Sequence, residues 1–550
     1  MAYSVQKAAR TRSVRPEIGS VTFSAVIAAY LLFAANHTLW EKLGKYLGAS
    51  SFTVGAFYLG TYATLFALIT IFSVKYLMKP FAILMIWIAA AAAWFMDQFS
   101  VVIDKDMIRN AAETTGGEAG NLLTPDYALH LLLFAGLPTL VILIVRIRHR
   151  TFFRKLAWNT LTAFACLAVV IAVFATNTKA IMLAHREHRD LFSAVNPIGP
   201  VVSAIEYAVQ ANEEAHMVIA PLGTDAKLMP AIGGMAKPRV TIVVAGETAR
   251  SYNFSLNGYK RDTNPELAKR GVIYFPDTES CGTSTAVSIP CMFSPFTRAG
   301  YSHSRAAGSE SLMDVLTHAG IKTEWWDNNT GSKGVATRIK TLELENSTDP
   351  RFCSEGECQD QVLMEGLDAW LDGVTKDSVL VLHQIGSHGP TYHKRYPDQF
   401  KRFTPDCQAA EPTNCSDAEL MNAYDNTIVY TDHILATVID ALKARGDRLA
   451  GAMIYASDHG ESLGENGVYL HGAPYFMAPK EQTHVPFLVW ADHDFARSMG
   501  LDMSCLQKTT AQPHSHDNWF PSILSMMNVK TSVYDPKLDL FGQCRANPLS

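Results

Sequence analysis

The chain has 550 residues, too many for one small domain. Its hydrophobic fraction of 48% and net charge of -5 average two unlike halves. The near-neutral charge and the lack of a strongly basic stretch argue against nucleic-acid binding.

Five apolar runs precede residue 181: 21–40, 52–72, 81–95, 127–147 and 157–174. Most approach the roughly 20 residues that carry a helix across ~30 Å of hydrocarbon. The third does so only with its flanks. No small-residue cleavage site follows the first run, and four more runs do, so it is expected to be an anchor rather than a signal peptide. Basic residues set the orientation. Lys7, Arg10, Arg12 and Arg15 precede the first run, Lys75 and Lys79 follow the second, and Arg146, Arg148, Arg150, Arg154 and Lys155 precede the fifth. One topology makes all three places cytoplasmic. The loop with Asp97, Asp104, Asp106, Glu113 and Glu118 then lies outside, and so does everything after the fifth crossing.

Cysteine usage agrees. Of 9 cysteines, Cys166 sits in the fifth run and the rest lie in the exported half. An even number there suggests disulfides, and neighbour pairing gives Cys281–Cys291, Cys353–Cys358, Cys407–Cys415 and Cys505–Cys544. The spacing lacks the tight Cys-x-x-Cys sets of a zinc cluster.

Three segments follow: residues 1–181 as a membrane domain, 182–238 as a bridge, and 239–550 as an exported domain. Pro197 and Pro200 break the bridge. Residues 201–209 read as an amphipathic helix in the membrane interface. Gly233, Gly234 and Pro238 mark the end of the bridge. Beyond it, apolar strands are expected at 240–245, 378–382, 452–456 and 485–490. Helices are expected at 309–318, 361–371 and 417–445. This alternation makes a mostly parallel sheet covered on both faces, with ligands at the carboxyl ends of its strands.

Chemistry-bearing residues follow those strands. The first is followed by Gly246-Glu247-Thr248, the second by His383 and then Gly386-Ser387-His388-Gly389-Pro390, and the third by Ser457-Asp458-His459-Gly460-Glu461. His471-Gly472 comes twelve residues after His459. Singly, each is a cap, a turn or a solvated loop residue. Together, carboxylates and imidazoles at one sheet edge suit zinc or a similar divalent ion. A hydroxyl-rich segment between Cys281 and Cys291 supplies a nucleophile at the start of a helix, where backbone N–H groups stabilise an attached phosphate. Spacing alone leaves Thr283, Ser284 and Thr285 open, and capping is their bland reading.

These motifs, with Tyr469-Leu470-His471-Gly472 and Pro479-Lys480-Glu481-Gln482-Thr483-His484-Val485-Pro486, resemble the bacterial phosphoethanolamine transferases that modify lipid A, among them the mobile colistin-resistance enzymes. The resemblance covers nearly the whole chain. It implies five membrane helices in the inner membrane, a periplasmic α/β domain of alkaline-phosphatase/sulfatase type, and zinc-dependent transfer of phosphoethanolamine from phosphatidylethanolamine to a lipid A phosphate, with polymyxin resistance as the consequence. It further implies Thr285 as nucleophile, with Glu247, Asp458, His459 and Thr285 holding zinc. His388 and His471 then hold a second zinc or the substrate phosphate. Thr330 and Lys333 contact the substrate. Asn110, Thr114 and Glu118, at four-residue steps that put them on one helical face, bind the ethanolamine donor. His383 is open between a structural and a functional role. A glycerol-phosphate donor, or a lipopolysaccharide-core or glucan acceptor, is the alternative within the enzymes. A metal-binding sensor without a nucleophile is the alternative outside them.

Overall fold

The computed structural model describes residues 15–46, 51–114, 116–178, 181, 190–232, 236–547 and 549. Lys7, Arg10, Arg12, Gly233 and Gly234 lie outside the described residues. The chain divides into two compact units, one formed by residues 1–97 and 125–202, the other by 98–124 and 203–550.

Among the described residues, four helices are long and apolar enough to cross a membrane: Phe52–Ile71, Met78–Phe99, Pro125–Ile144 and Phe152–Thr176. At 1.5 Å per residue their 20 to 25 residues match the hydrocarbon thickness. The first apolar run is not one straight span. It is broken into Ser20–Ala34 and a second helix beginning at His37, bent by 61°, and counts as a fifth crossing only if the pair is taken together. Asn36 lies at the break. Its buried side-chain amide donates to Leu31 O and Asn196 O, each at 2.8 Å, while Asn196 N donates back to Asn36 Oδ1. A polar side chain buried among apolar helices needs such partners, and here it shares the Leu31 carbonyl with the Ala35 amide. The helix of the bridge runs Ile198–Ala215, longer at both ends than its apolar pattern suggests.

The second unit is built on a seven-stranded sheet. In chain order its strands are β1 (Arg239–Gly246), β2 (Ile273–Phe275), β3 (Lys322–Asp327), β4 (Lys340–Glu343), β5 (Ser378–His383), β6 (Ala450–Ser457) and β7 (Phe487–Ala491). Their spatial order is β2-β7-β6-β1-β5-β3-β4. Only β7 runs against its neighbours. β2, β3 and β4 escape the sequence reading: β2 is three residues long, and Lys322-Thr323-Glu324 and Lys340-Thr341 dilute the apolar signal of the other two.

Both faces of β1 are apolar because both are covered. Val243 and Ala245 pack with Leu312, Leu316, Phe520 and Leu524 in one core. Val240, Ile242 and Val244 pack with Tyr424, Ile428, Leu435 and Val438 of the helix Asp417–Lys443 in the other. Each fully buried aliphatic side chain contributes roughly 1.5–3 kcal/mol. That fixes the central strands and, with them, the loops at their carboxyl ends. The four disulfides join Cys281–Cys291, Cys353–Cys358, Cys407–Cys415 and Cys505–Cys544. Cys166 is free and buried.

Candidate active site

Strand register brings the first acids together. β1 and β6 are parallel neighbours with Gly246 opposite Ser457, so the next residues, Glu247 and Asp458, leave the sheet side by side. Gly246 is required here: a Cβ on it would lie 2.5 Å from the Tyr455 ring. Gly386, at φ +51°, lets the loop after β5 press against Glu247, whose carbonyl lies 2.6 Å from where a Cβ would stand. Ser387 N donates to that carbonyl at 3.0 Å and carries His388 inward.

Glu247, Asp458 and His459 are buried, and their ligand atoms lie within 4.8 Å of one another. His459 Nε2 is 3.2 Å from Glu247 Oε1 and 3.3 Å from Asp458 Oδ2. Thr285 Oγ1 donates to Glu247 Oε2 at 3.0 Å and lies 3.4 Å from His459 Nε2. Thr285 is the first residue of the helix Thr285–Met292. The three hydroxyls left open by spacing part company here. Thr283 Oγ1 donates to Ala473 O at 2.7 Å, and the Ser284 side chain makes no capping bond. The Cys281–Cys291 bridge ties the residues before this helix to its last turn.

The charges in this pocket are out of balance. Burial pushes the Asp458 carboxyl up to about 6, helped by the Glu247 charge. Burial also works to raise Glu247, but its bond to His459 and the nearby imidazoles hold it well below the usual carboxylate range. Burial works to lower His459, yet the two carboxylates push it up to about 10. Asp458 Oδ2 is buried without a hydrogen-bond donor. Two carboxylates and an imidazole converging in a dry pocket, one oxygen lacking a donor, fit a divalent cation.

His471 and His388 adjoin this group. The His471 ring centroid is 4.4 Å from that of His459 and 5.3 Å from that of His388. His471 Nδ1 lies 3.4 Å from Glu461 Oε1, a buried carboxylate to which the sequence reading gave no role. Asn329 was also missed. Its Nδ2 donates to Glu247 Oε2 at 2.8 Å and to Gln384 O at 2.7 Å, orienting the glutamate. Its place at the end of β3 was invisible because β3 was not read as a strand. His516 is a third omission: Cys281 N donates to its Nδ1 and its Nε2 meets Ser457 O, both at 3.0 Å. Burial pushes His516 down to about 3. His383 pairs with Asp327 through Nδ1 at 2.9 Å, and the Trp325 indole N–H donates to the same carboxylate oxygen. That bond directs the Nδ1 edge of His383 to Asp327.

Residues 98–124 belong to this same unit. Lys333, nearly buried at 4% side-chain exposure, lies 3.0 Å from Glu113 Oε2. Thr330, Lys333 and Glu113 line a cavity of about 480 Å³ with His303 and Arg338. Asn110 lines a smaller one, about 90 Å³, with Asp104, Thr283 and Ser284. The expectation that Asn110, Thr114 and Glu118 share a helical face is corrected. The helix Lys105–Glu113 stops at Thr114, which is extended, and Glu118 belongs to a second helix, Gly116–Leu122, its side chain lying outside the described atoms. Thr114 Oγ1 donates to Asn110 O at 2.8 Å, taking the carbonyl that a continuing helix would give to the Thr114 amide.

The sequence and fold have close counterparts. Residues 239–529 match the Sulfatase family, and residues 61–211 match the family described as Phosphoethanolamine transferase EptA/EptB. The chain is 37% identical to Phosphoethanolamine transferase EptA of Salmonella typhimurium over 537 residues, 96% of this chain and 98% of that one. The chain belongs to the EptA/Mcr-type phosphoethanolamine transferase family. Phosphatidylethanolamine transferase Mcr-1 of Escherichia coli is 34% identical over 535 residues, covering 94% of this chain and 96% of its own. The integral membrane lipooligosaccharide phosphoethanolamine transferase A from Neisseria meningitidis superposes with a TM-score of 0.92 at 31% identity, covering 97% of this chain and all of that one. This member of the family is thus a phosphoethanolamine transferase. It has a multi-span membrane domain and a sulfatase-like α/β domain, which lies in the periplasm.

Proposed function

We propose that this transferase moves phosphoethanolamine from phosphatidylethanolamine to a lipid A phosphate by way of Thr285, with zinc held by Glu247, Asp458, His459 and Thr285. The observation that carries the reading is the Thr285 hydroxyl, set at a helix N-terminus and bonded to Glu247 at 3.0 Å inside the acid–imidazole group. Bound zinc would supply a lower hydroxyl pKa and a counter-charge for the phosphoryl oxygens.

In the first half-reaction Thr285 Oγ1 attacks the phosphorus of the donor and its proton passes to the departing diacylglycerol oxygen. The bond from phosphorus to the diacylglycerol oxygen breaks, and diacylglycerol departs once that oxygen is protonated. The Thr285 helix N-terminus stabilises the phosphoryl group that remains on the threonine. In the second half-reaction an oxygen of a monoprotonated lipid A phosphate attacks phosphothreonine 285, the phosphorus–threonine bond breaks, and the proton of the attacking phosphate restores the hydroxyl. His388 and His471 bind the phosphate, or a second zinc beside it. Lys333 and Thr330 contact the donor phosphate, and Asn110, Thr114 and Glu118 contact its ethanolamine end. Adding the ethanolamine cation masks negative charge on lipid A, which weakens polymyxin binding.

Mass spectrometry of lipid A from cells with and without the chain tests this. A phosphoethanolamine on a lipid A phosphate, absent with T285A, is the expected result. A modified core sugar or glucan with unmodified lipid A overturns the acceptor. A glycerol-phosphate adduct on Thr285 overturns the donor.

A further inference from the structure

A groove of about 980 Å³ runs along the helices Phe52–Ile71 and Phe152–Thr176. Its walls are apolar over most of their length, with Ala63, Ala67, Ala163, Leu167 and Val170 among them. One end is different in kind. Lys75, His149, Arg150 and Lys155 line it, and no acidic residue does.

Charge and helix polarity reinforce one another there. The helix Phe152–Thr176 has no side-chain cap at Thr151 and no acid in its first turn. The positive pole of its dipole therefore faces Arg150 and Lys155, an arrangement unfavourable for cations and favourable for an anion. Lys155 Nζ reaches only a neutral partner among the described residues, His149 Nδ1 at 2.7 Å. Burial, followed by the charges of Lys155 and Lys75, lowers the basicity of that imidazole. The Arg150 guanidinium lies 4.3 Å from the Trp158 ring centroid. Further along, Asn159 donates to Thr70 O at 3.2 Å while its Oδ1 is buried without a partner. Because this last span leads to the periplasmic domain, its basic end lies on the cytoplasmic side.

We propose that the groove holds an anionic phospholipid of the cytoplasmic leaflet. Its phosphate sits among Lys75, Arg150, Lys155 and the helix N-terminus, and its acyl chains lie along the alanine-rich wall. Basic pockets between membrane helices recognise anionic headgroups in this way. An apolar channel alone would take any lipid; the cationic end without an acid selects for net negative charge. The site is independent of the catalytic reading.

The test uses the full chain in mild detergent, titrated with phosphatidylglycerol or with phosphatidylcholine of the same acyl chains and read by native mass spectrometry. Phosphatidylglycerol is expected to bind at least about tenfold more tightly. R150Q with K155Q should bring the two lipids to parity, whereas R150K with K155R should keep the preference. A163W, which fills the groove without changing charge, should weaken retention of both lipids. Transferase activity reports that each variant is folded. Equal retention of the two lipids by the natural chain overturns the proposal. So does retention of both unchanged by A163W, which remains decisive if the charge variants fail to fold.

Discussion

The Thr285 hydroxyl donates to Glu247 at 3.0 Å although 38 residues separate the two in the chain. The proposed transfer chemistry depends on that contact. T285A is expected to lower transfer by at least roughly 10³-fold, as loss of a nucleophile does, with an unchanged thermal midpoint. T285S should retain part of the activity. Trapping of labelled donor on the protein, followed by peptide mapping, checks the assignment. Label on Thr283 or Ser284 would contradict it.

Glu247, Asp458 and His459 are proposed as one donor set, so removing any one should lower metal binding. E247Q and H459Q are each expected to lower bound zinc, measured by elemental analysis, in proportion to activity. Chelation should abolish transfer, and added zinc should restore it to the natural chain but not to E247Q.

His516 holds the Thr285 segment from behind by accepting from Cys281 and reaching Ser457. Burial lowers its pKa to about 3. A depressed histidine favours the neutral form. Its stabilising contribution is therefore present above the unfolded value near 6.5 and is lost as pH falls from there toward 3. Thermal midpoints between pH 7 and 4 should fall more steeply for the natural chain than for H516A. At pH 7 H516A should be less stable by about 1–3 kcal/mol, the usual cost of leaving buried backbone groups without partners.

Two disulfides should separate stability from activity. Cys505–Cys544 spans 39 residues and Cys281–Cys291 spans 10. In the chain-entropy view, losing the longer loop costs about 1 kcal/mol more. Activity should rank the other way, because only Cys281–Cys291 braces the helix that starts at Thr285. Denaturation midpoints and donor labelling of C505S/C544S and C281S/C291S test the crossing.

Lys333, nearly buried, forms an ion pair at 3.0 Å with the partly exposed Glu113. K333A and E113A should each slow labelling of Thr285 by donor lipid. The double variant should be no slower than the slower single, with a coupling of about 1–3 kcal/mol. Additive effects would mean that the two side chains act apart.

The sequence made much of this legible because its signals are local. Apolar runs long enough to cross a membrane, and loops that place Glu247, Asp458 and His459 directly after apolar strands, need no knowledge of the fold to be seen. Neighbour pairing of the cysteines matches the disulfides because each cysteine bonds the next one along the chain, even across the separation of 39 residues from Cys505 to Cys544. Where a strand was diluted by lysine and threonine, as in β3, the reading failed, and Asn329 went unassigned with it. Asn110, Thr114 and Glu118 failed for a different reason. Four-residue spacing implies one helical face only if the helix continues, and this one ends at Thr114, whose backbone is extended.

From residues alone came the membrane anchoring, the exported α/β domain and the list of acids, imidazoles and hydroxyls available for chemistry. Folding chose among them. Parallel register sets Glu247 beside Asp458, and a disulfide-braced helix turns Thr285, rather than Thr283 or Ser284, toward them. The pairing of Lys333 with Glu113 and the basic end of the membrane groove arise in the same way. Each joins side chains far apart in the chain, and hydrophobic periodicity says nothing about which distant elements will meet.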